Sequence, residues 1–202
     1  MIEKRNIPTN GAIFPLANGQ LRYFKNFFDP QKADRLFAQL HKEILWQQDP
    51  ITVFGKTYMQ PRLTALYANN SKPYSYSGIT MHPHTFTAPL KEIQQKIEAV
   101  TKARFTTVLL NLYRDGNDSN GWHADNEKEL GLNPVIASVS FGVPRYFQLK
   151  HRSIKEERFK FLLEHGSLLL MEGKMQHHWL HQIAKTKQVV EPRINLTFRK
   201  II

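Results

Sequence analysis

The chain contains no cysteine, which excludes disulfides and thiolate metal sites. A metal must then be held by histidine and carboxylate, a donor set that favours Fe(II) or Mn(II) over structural zinc. No run of about eighteen apolar residues occurs, and Met1-Ile2-Glu3-Lys4-Arg5 starts no signal-peptide pattern. A soluble cytoplasmic protein is expected, nuclear if the source is eukaryotic, with no membrane partner. A strong nuclear-localisation cluster is also missing. Acidic residues are in deficit: 17 Asp+Glu stand against 28 Lys+Arg, a formal net charge of +11 over 202 residues. Such a balance favours polyanions through phosphate neutralisation and counterion release, although it also suits a protein that is merely basic. The charge is dispersed rather than gathered in a tail, which weakens a membrane-surface reading. What is present is ordinary for a globular domain with a real core, with 41% hydrophobic and 11% aromatic residues.

Residues 2–20 show no strong periodicity and carry Pro8, Gly11, Pro15 and Gly19, so an irregular segment with one short strand is expected. Asp29-Pro30 has the form of a helix start, and Ala33, Leu36, Phe37, Leu40, Ile44 and Leu45 follow at helical spacing. A second helix carries Leu90, Ile93, Ile97 and Val100 on its core face. Ile51 to Tyr58 has the pattern of a hairpin with Phe54-Gly55-Lys56 at its tip. An exposed Phe beside Lys can enter a base stack while the Lys meets phosphate; the alternative is that Phe54 folds back on the core. Strands are expected at 106–113, 135–141, 146–149, 161–163, 167–171 and 179–183. Many short strands with Gly/Pro turns argue a mainly β, closed or sandwiched core with flanking helices.

The chemistry centres on Gly121-Trp122-His123-Ala124-Asp125. On an extended strand His123 and Asp125 leave from the same face, giving two of the three ligands of a facial triad for non-haem Fe(II). A second histidine must come from downstream, and His177-His178-Trp179-Leu180-His181 offers His181; parity alone leaves His177 open. His82-Pro83-His84 is set aside, since it has a proline and no neighbouring carboxylate. Farther on, Arg193, Asn195, Thr197 and Arg199 share one face of a strand whose other face is Ile194, Leu196 and Phe198. That doubly cationic face suits a small dicarboxylate, because guanidinium binds carboxylate as a bidentate fork. Glu127 has the parity of Asp125, with a solvated surface glutamate as the alternative. Tyr74 and Tyr76 precede Gly78 and would serve either as a flat wall for an extruded base or as a sheet edge. Lys150, His151, Arg152, Lys155, Arg158 and Lys160 form a basic stretch, for which a solvated loop is the alternative.

The ordered set of His-x-Asp, a distant His and two arginines six residues apart resembles the AlkB-type Fe(II)/2-oxoglutarate dioxygenases, which oxidatively dealkylate damaged nucleobases. Asn111-Leu112-Tyr113, Ser138-Val139-Ser140-Phe141-Gly142, His165 to Met171 and Asn195-Leu196-Thr197-Phe198-Arg199 are similar to further strands of that family. The resemblance runs from about Phe54 to the C-terminus. It implies a double-stranded β-helix, or jelly roll, with His123, Asp125 and His181 on Fe(II); the spacing from His181 to Arg193 is what selects His181 over His177. It places Asn111, Tyr113, Arg193, Asn195, Thr197 and Arg199 on 2-oxoglutarate, with O2 as co-reactant. Val53, Phe54, Gly55 and Lys56 are similar to the finger of the duplex-DNA-repair branch. Pro61-Arg62 and Tyr74 to Gly78 are similar to its nucleotide-recognition lid. Substrate contacts would be Tyr74, Tyr76, Glu127 and, as the best candidate of the basic stretch, Arg152.

The implied activity is demethylation of 1-methyladenine and 3-methylcytosine in single- or double-stranded DNA, releasing formaldehyde, succinate and CO2. A monomer is expected, forming one compact unit: residues 1–50 as an extension and helix on the core, 51–90 as finger and lid, 91–202 as the dioxygenase core. Two other readings are a dioxygenase acting on RNA or protein, and a non-catalytic nucleic-acid-binding module. The finger-like and lid-like segments speak against the first. The complete ligand set and both arginines speak against the second.

Overall fold

In the segments Thr107–Tyr113 and Arg193–Arg199 every residue is buried, so something covers both faces of each strand. Helices cover one face, and a second sheet covers the other. The structure, a computed structural model, describes the backbone of residues 2–53, 55–76 and 79–202, and their side chains except at 52, 53, 74–76 and 79. In chain order the strands are β1 (Glu3–Lys4), β2 (Asn10–Leu16), β3 (Gly19–Phe24), β4 (Pro50–Val53), β5 (Lys56–Met59), β6 (Leu63–Ala68), β7 (Tyr74–Tyr76), β8 (Ile79–Met81) and β9 (His84–Thr85). After these come β10 (Thr107–Tyr113), β11 (Asn120–His123), β12 (Ile136–Gly142) and β13 (Arg145–His151). β14 (Arg158–Leu163), β15 (Ser167–Glu172), β16 (Trp179–Ile183) and β17 (Arg193–Arg199) complete the set. The helices are α1 (Pro30–Glu43), α2 (Ala88–Thr101) and the short α3 (Met175–His178).

An eight-stranded sheet runs in the order β2-β3-β15-β12-β17-β10-β6-β9, and a five-stranded sheet in the order β1-β14-β13-β16-β11. Leu21, Tyr23, Leu109, Leu169 and Met171 from the large sheet meet Phe147, Leu149, Phe159, Phe161, Trp179 and Ile183 from the small one in a single buried cluster. This is a jelly roll. The outer face of the large sheet carries Val108, Leu110, Val139, Leu168, Leu196 and Phe198, which pack with Leu36 and Leu40 of α1 and Leu90, Ile93 and Ile97 of α2. Each such side chain, fully buried, contributes roughly 1.5–3 kcal/mol.

The two long helices form where the sequence places them, whereas the single turn of α3 has no sequence signal. Asp29 caps α1 by accepting from the Lys32 N–H at 2.9 Å, and Pro30 opens its first turn. α1 stops at Glu43, with Ile44 already extended; Leu45 therefore lies outside the helical face and is 60% exposed. Val100, expected on the core face of α2, is also exposed.

Residues 2–20, expected to be irregular with one short strand, hold more regular structure than that: residues 10–24 are paired throughout most of their length. They form the β2–β3 hairpin, which extends the large sheet by two strands. β2 is the outermost strand, where Pro15 leaves no interior ladder bond unmade. The turn uses Asn18 at φ +61°, a conformation Asn tolerates. β4 and β5 pair as the expected hairpin, separate from both large sheets.

Candidate metal centre

β11 and β16 pair antiparallel, with His123 directly opposite His181. Opposed residues on antiparallel strands project to one face, so the two rings meet with centroids 4.3 Å apart. The register shifts between Asn120 and His123, an irregularity of the kind that re-aims a side chain. Asp125 lies beyond the end of β11, so strand parity does not place it. Two side chains do. Arg199 Nη2 donates to its Oδ1 at 2.5 Å, and Gln176 Oε1 accepts its backbone N–H at 2.9 Å. The ligand atoms of His123, Asp125 and His181 all lie within 4.8 Å of one another.

Protonation favours metal binding. Burial, reinforced by His123, pulls His181 down to about 3. Burial also lowers His123. Burial alone would raise Asp125, but Arg199, then His181 and His123, outweigh it and hold the carboxyl at about 2. Near neutral pH the site offers two neutral imidazoles and one carboxylate, the state a metal requires. His123 Nδ1 sits 2.7 Å from the Gly121 carbonyl, which makes Nδ1 the N–H and leaves the Nε2 lone pair for a ligand. Asn120 Nδ2, a donor, faces that Nε2 at 3.2 Å.

Beside the triad lies a cavity of about 110 Å³, bordered by Arg62, Asn111, Glu127, Ser138, Thr197 and Arg199 among others. β17 stands between β10 and β12, pairing Arg193 with Tyr113 and Gly142, and Asn195 with Asn111 and Ser140. Arg193 is 1% exposed. Its Nη2 donates to Ser140 Oγ at 2.8 Å, and its guanidinium lies 5.3 Å from the Tyr113 ring centroid. By strict geometry Nε and Nη1 of Arg193 have no hydrogen-bond partner among the described residues, although the Tyr113 side chain interacts with the guanidinium. Burial lowers Arg193 to about 10, so it stays charged at neutral pH. A buried cation is costly unless an anion meets it, and a carboxylate fits that fork.

The rest of this face is largely engaged within the protein. Asn195 Nδ2 donates to Ser138 Oγ at 2.8 Å and to the Val139 carbonyl at 3.0 Å; Thr197 Oγ1 donates to Asn195 Oδ1 at 3.1 Å. Arg62, expected at the lid, is instead buried in the cavity wall. Its Nε donates to Asn111 Oδ1 at 2.7 Å and its Nη1 to the Ser119 carbonyl at 3.3 Å. Arg62 and Gln176 carry no local sequence signal for these contacts, since their partners Asn111 and Asp125 are about fifty residues away. Ser138 shares with Ser140 the alternate polar positions of β12, a pattern visible beforehand.

Other expected residues lie farther out. Glu127 borders the cavity just past β11. Arg152 is exposed in the loop after β13, and its backbone N–H donates to the His178 carbonyl at 2.8 Å. His177 and His178 sit in α3, outside the triad. Gly55 turns the β4–β5 hairpin at φ +75°, with Lys56 exposed beside it. Phe54 and the side chains of Val53, Tyr74 and Tyr76 fall outside the described residues.

A triad of two histidines and an aspartate lining a cavity between the two sheets of a jelly roll, with a buried arginine over the cavity's Tyr113, defines a class. The model of the 2OG-Fe(II) oxygenase superfamily matches residues 20–199, and the chain belongs to that superfamily. Within it the chain is of AlkB type. It is 39% identical over 199 residues to the human alpha-ketoglutarate-dependent dioxygenase alkB homolog 3, covering 94% of this chain and 69% of that protein. To the mouse DNA oxidative demethylase ALKBH2 it is 35% identical over 214 residues, covering 96% and 90%. The structure of OsALKBH1 shares the fold, with a TM-score of 0.63 at 18% identity, covering 94% of this chain and 100% of that one. The protein is thus a 2-oxoglutarate- and Fe(II)-dependent dioxygenase, and its donor set fits iron. Among the described residues no helix is long and apolar enough to cross a membrane.

Proposed function

We propose that this dioxygenase removes N-alkyl groups from nucleic-acid bases, with 1-methyladenine and 3-methylcytosine in DNA as substrates and formaldehyde, succinate and CO2 as products. The observation that carries the reading is the triad lining a cavity that Tyr113 also borders, with the buried guanidinium of Arg193 over the Tyr113 ring. The relatives named for DNA demethylation and the net charge of +11 support nucleic acid as the substrate polymer.

Fe(II) with 2-oxoglutarate and O2 supplies the oxidising power that hydroxylates the N-alkyl carbon. The chain's residues supply position and protonation state. His123 and His181 present neutral nitrogens, and Asp125 presents the charge. Arg193 would take one carboxylate of 2-oxoglutarate as a fork, with Tyr113 beneath the guanidinium. Arg199 both holds Asp125 and borders the cavity, so it serves the ligand and the cosubstrate end together. Arg62 occupies Asn111 Oδ1, which turns the Asn111 NH2 group into a donor toward 2-oxoglutarate. Asn195 and Thr197 then act through the Ser138 bridge, setting the floor rather than reaching outward. Glu127 at the rim would meet the base edge, Tyr74 and Tyr76 would stack the flipped base, and Arg152 would meet phosphate. Val53 to Lys56 would occupy the gap the base leaves. In this division residues 51–90 handle nucleic acid and 91–202 perform the oxidation, with 1–50 supporting the sheet; the protein acts as a monomer.

The test is aerobic incubation with Fe(II), 2-oxoglutarate and ascorbate on an oligonucleotide bearing one 1-methyladenine, read by mass. Loss of one methylene unit, dependent on both iron and 2-oxoglutarate, is expected. An unchanged oligonucleotide alongside succinate formation would sink the substrate assignment and leave the dioxygenase. Parallel single- and double-stranded substrates then decide the preferred form.

A further inference from the structure

We infer that Gln176 is a positioning residue for the metal ligands, acting through the backbone of Asp125. Asp125 lies two residues past the end of β11, where the ladder with β16 has ended at the His123–His181 pair. Its N–H therefore has no strand partner, and a buried N–H must find one. Gln176 supplies it. The side chain is fully buried, its Oε1 accepts the Asp125 N–H at 2.9 Å, and its Nε2 donates to Met171 Sδ at 3.5 Å. A backbone N–H can only donate, so the amide orientation is fixed by chemistry: oxygen toward Asp125.

The brace has a particular span. Gln176 belongs to α3, the single turn that leads directly into β16 and His181. One amide thus ties the segment before the third ligand to the backbone of the second. Arg199 holds the carboxylate of Asp125 from the other side. Between them the main chain and the carboxylate of Asp125 are both held by protein groups, and a preorganised ligand set binds more tightly than one that must be ordered on binding. The inference rests on the triad as a metal site and is independent of which substrate is oxidised.

The experiment titrates Co(II), an oxygen-stable probe, into the full chain against a competing chelator, with the metal-free melting temperature measured alongside. Gln176→Met keeps the side-chain length and removes the acceptor; it is expected to weaken Co(II) binding about 10- to 100-fold. Gln176→Glu keeps an acceptor oxygen and is expected to recover most of that loss. Should Gln176→Met fail to fold, Gln176→Asn withdraws the acceptor by one methylene and carries the same test. A lowered melting temperature with Co(II) affinity unchanged would overturn the inference, because the amide would then be structural only. Equal weakening in the Met and Glu variants would overturn it too. An unaltered chain that binds no Co(II) would remove the metal reading together with the brace, whereas Co(II) binding without demethylation would reach only the substrate proposal.

Discussion

Three contacts converge on Asp125: Gln176 on its N–H, Arg199 on one oxygen, and His181 Nε2 3.9 Å from the other. Asp125→Ala is expected to abolish turnover while leaving nucleic-acid binding within about twofold, since affinity comes mainly from phosphate contacts elsewhere. It also removes the carboxylate partner of the buried Arg199, a change that costs about 3–5 kcal/mol for a buried pair and should lower the melting temperature of the metal-free protein. Arg193→Ala removes the fork without touching a ligand. Its signature is 2-oxoglutarate affinity weakened about 10- to 100-fold, from loss of charge-assisted bonds worth roughly 1.5–3 kcal/mol, with Co(II) affinity kept. The low values of His181 and Asp125 also set a pH dependence. In the unfolded chain His181 takes up its proton below about 6.5, while in the folded protein it does so only near 3. Between those limits the unfolded state holds more protons, so stability rises with pH and falls on acidification, by at most about 1.4 kcal/mol per pH unit for each such proton. Metal-free melting temperatures measured from pH 7 to 4 should fall, and His181→Gln should flatten the slope.

At the scale of elements, Gly142 shows how one backbone position serves the site. It ends β12 at φ +84°, paired with Arg193, and a Cβ there would strike the Pro192 carbonyl. Gly142→Ala is expected to cost more than about 1 kcal/mol of stability and to weaken 2-oxoglutarate binding, because β17 begins against it. By contrast Asp29→Ala, which removes the cap of α1 far from the cavity, should cost about 1 kcal/mol and leave 2-oxoglutarate affinity unchanged. Denaturant melts with parallel cosubstrate titrations separate the two. The same contrast explains what could be read beforehand. α1 carries its own start signal, α1 and α2 their apolar spacing, and β17 its alternation, so their existence and most of their inward faces follow from local pattern. The β2–β3 hairpin was hidden because Pro15 and its glycines look like loop until the edge position of β2 is known. Asp125 lies near His123, but strand parity is not what holds it: β11 ends first, and Gln176 and Arg199 take over from distant segments. Arg62 was hidden for the same reason. A contact made across the fold leaves no periodicity near either partner.

At the scale of the whole molecule, the charge of +11 predicts that nucleic-acid affinity falls steeply with salt, as expected when several phosphates are neutralised at once. Binding of an unmodified oligonucleotide measured at several salt concentrations should give a linear log–log plot of negative slope, and a flat plot would rule out phosphate contacts as the source of affinity. The five-stranded sheet is lightly held at its margins. β11 is the outermost strand of the five-stranded sheet and meets β16 at only two registered pairs. A margin so lightly laddered opens before the core does, and among the described residues one side of it has no strand at all. Ligands shared between β11 and β16 would fasten that margin shut. Proteases act on opened segments, so the survival of the protein in a cell would track the supply of the metal it uses, and iron scarcity would shorten its lifetime as well as silence it.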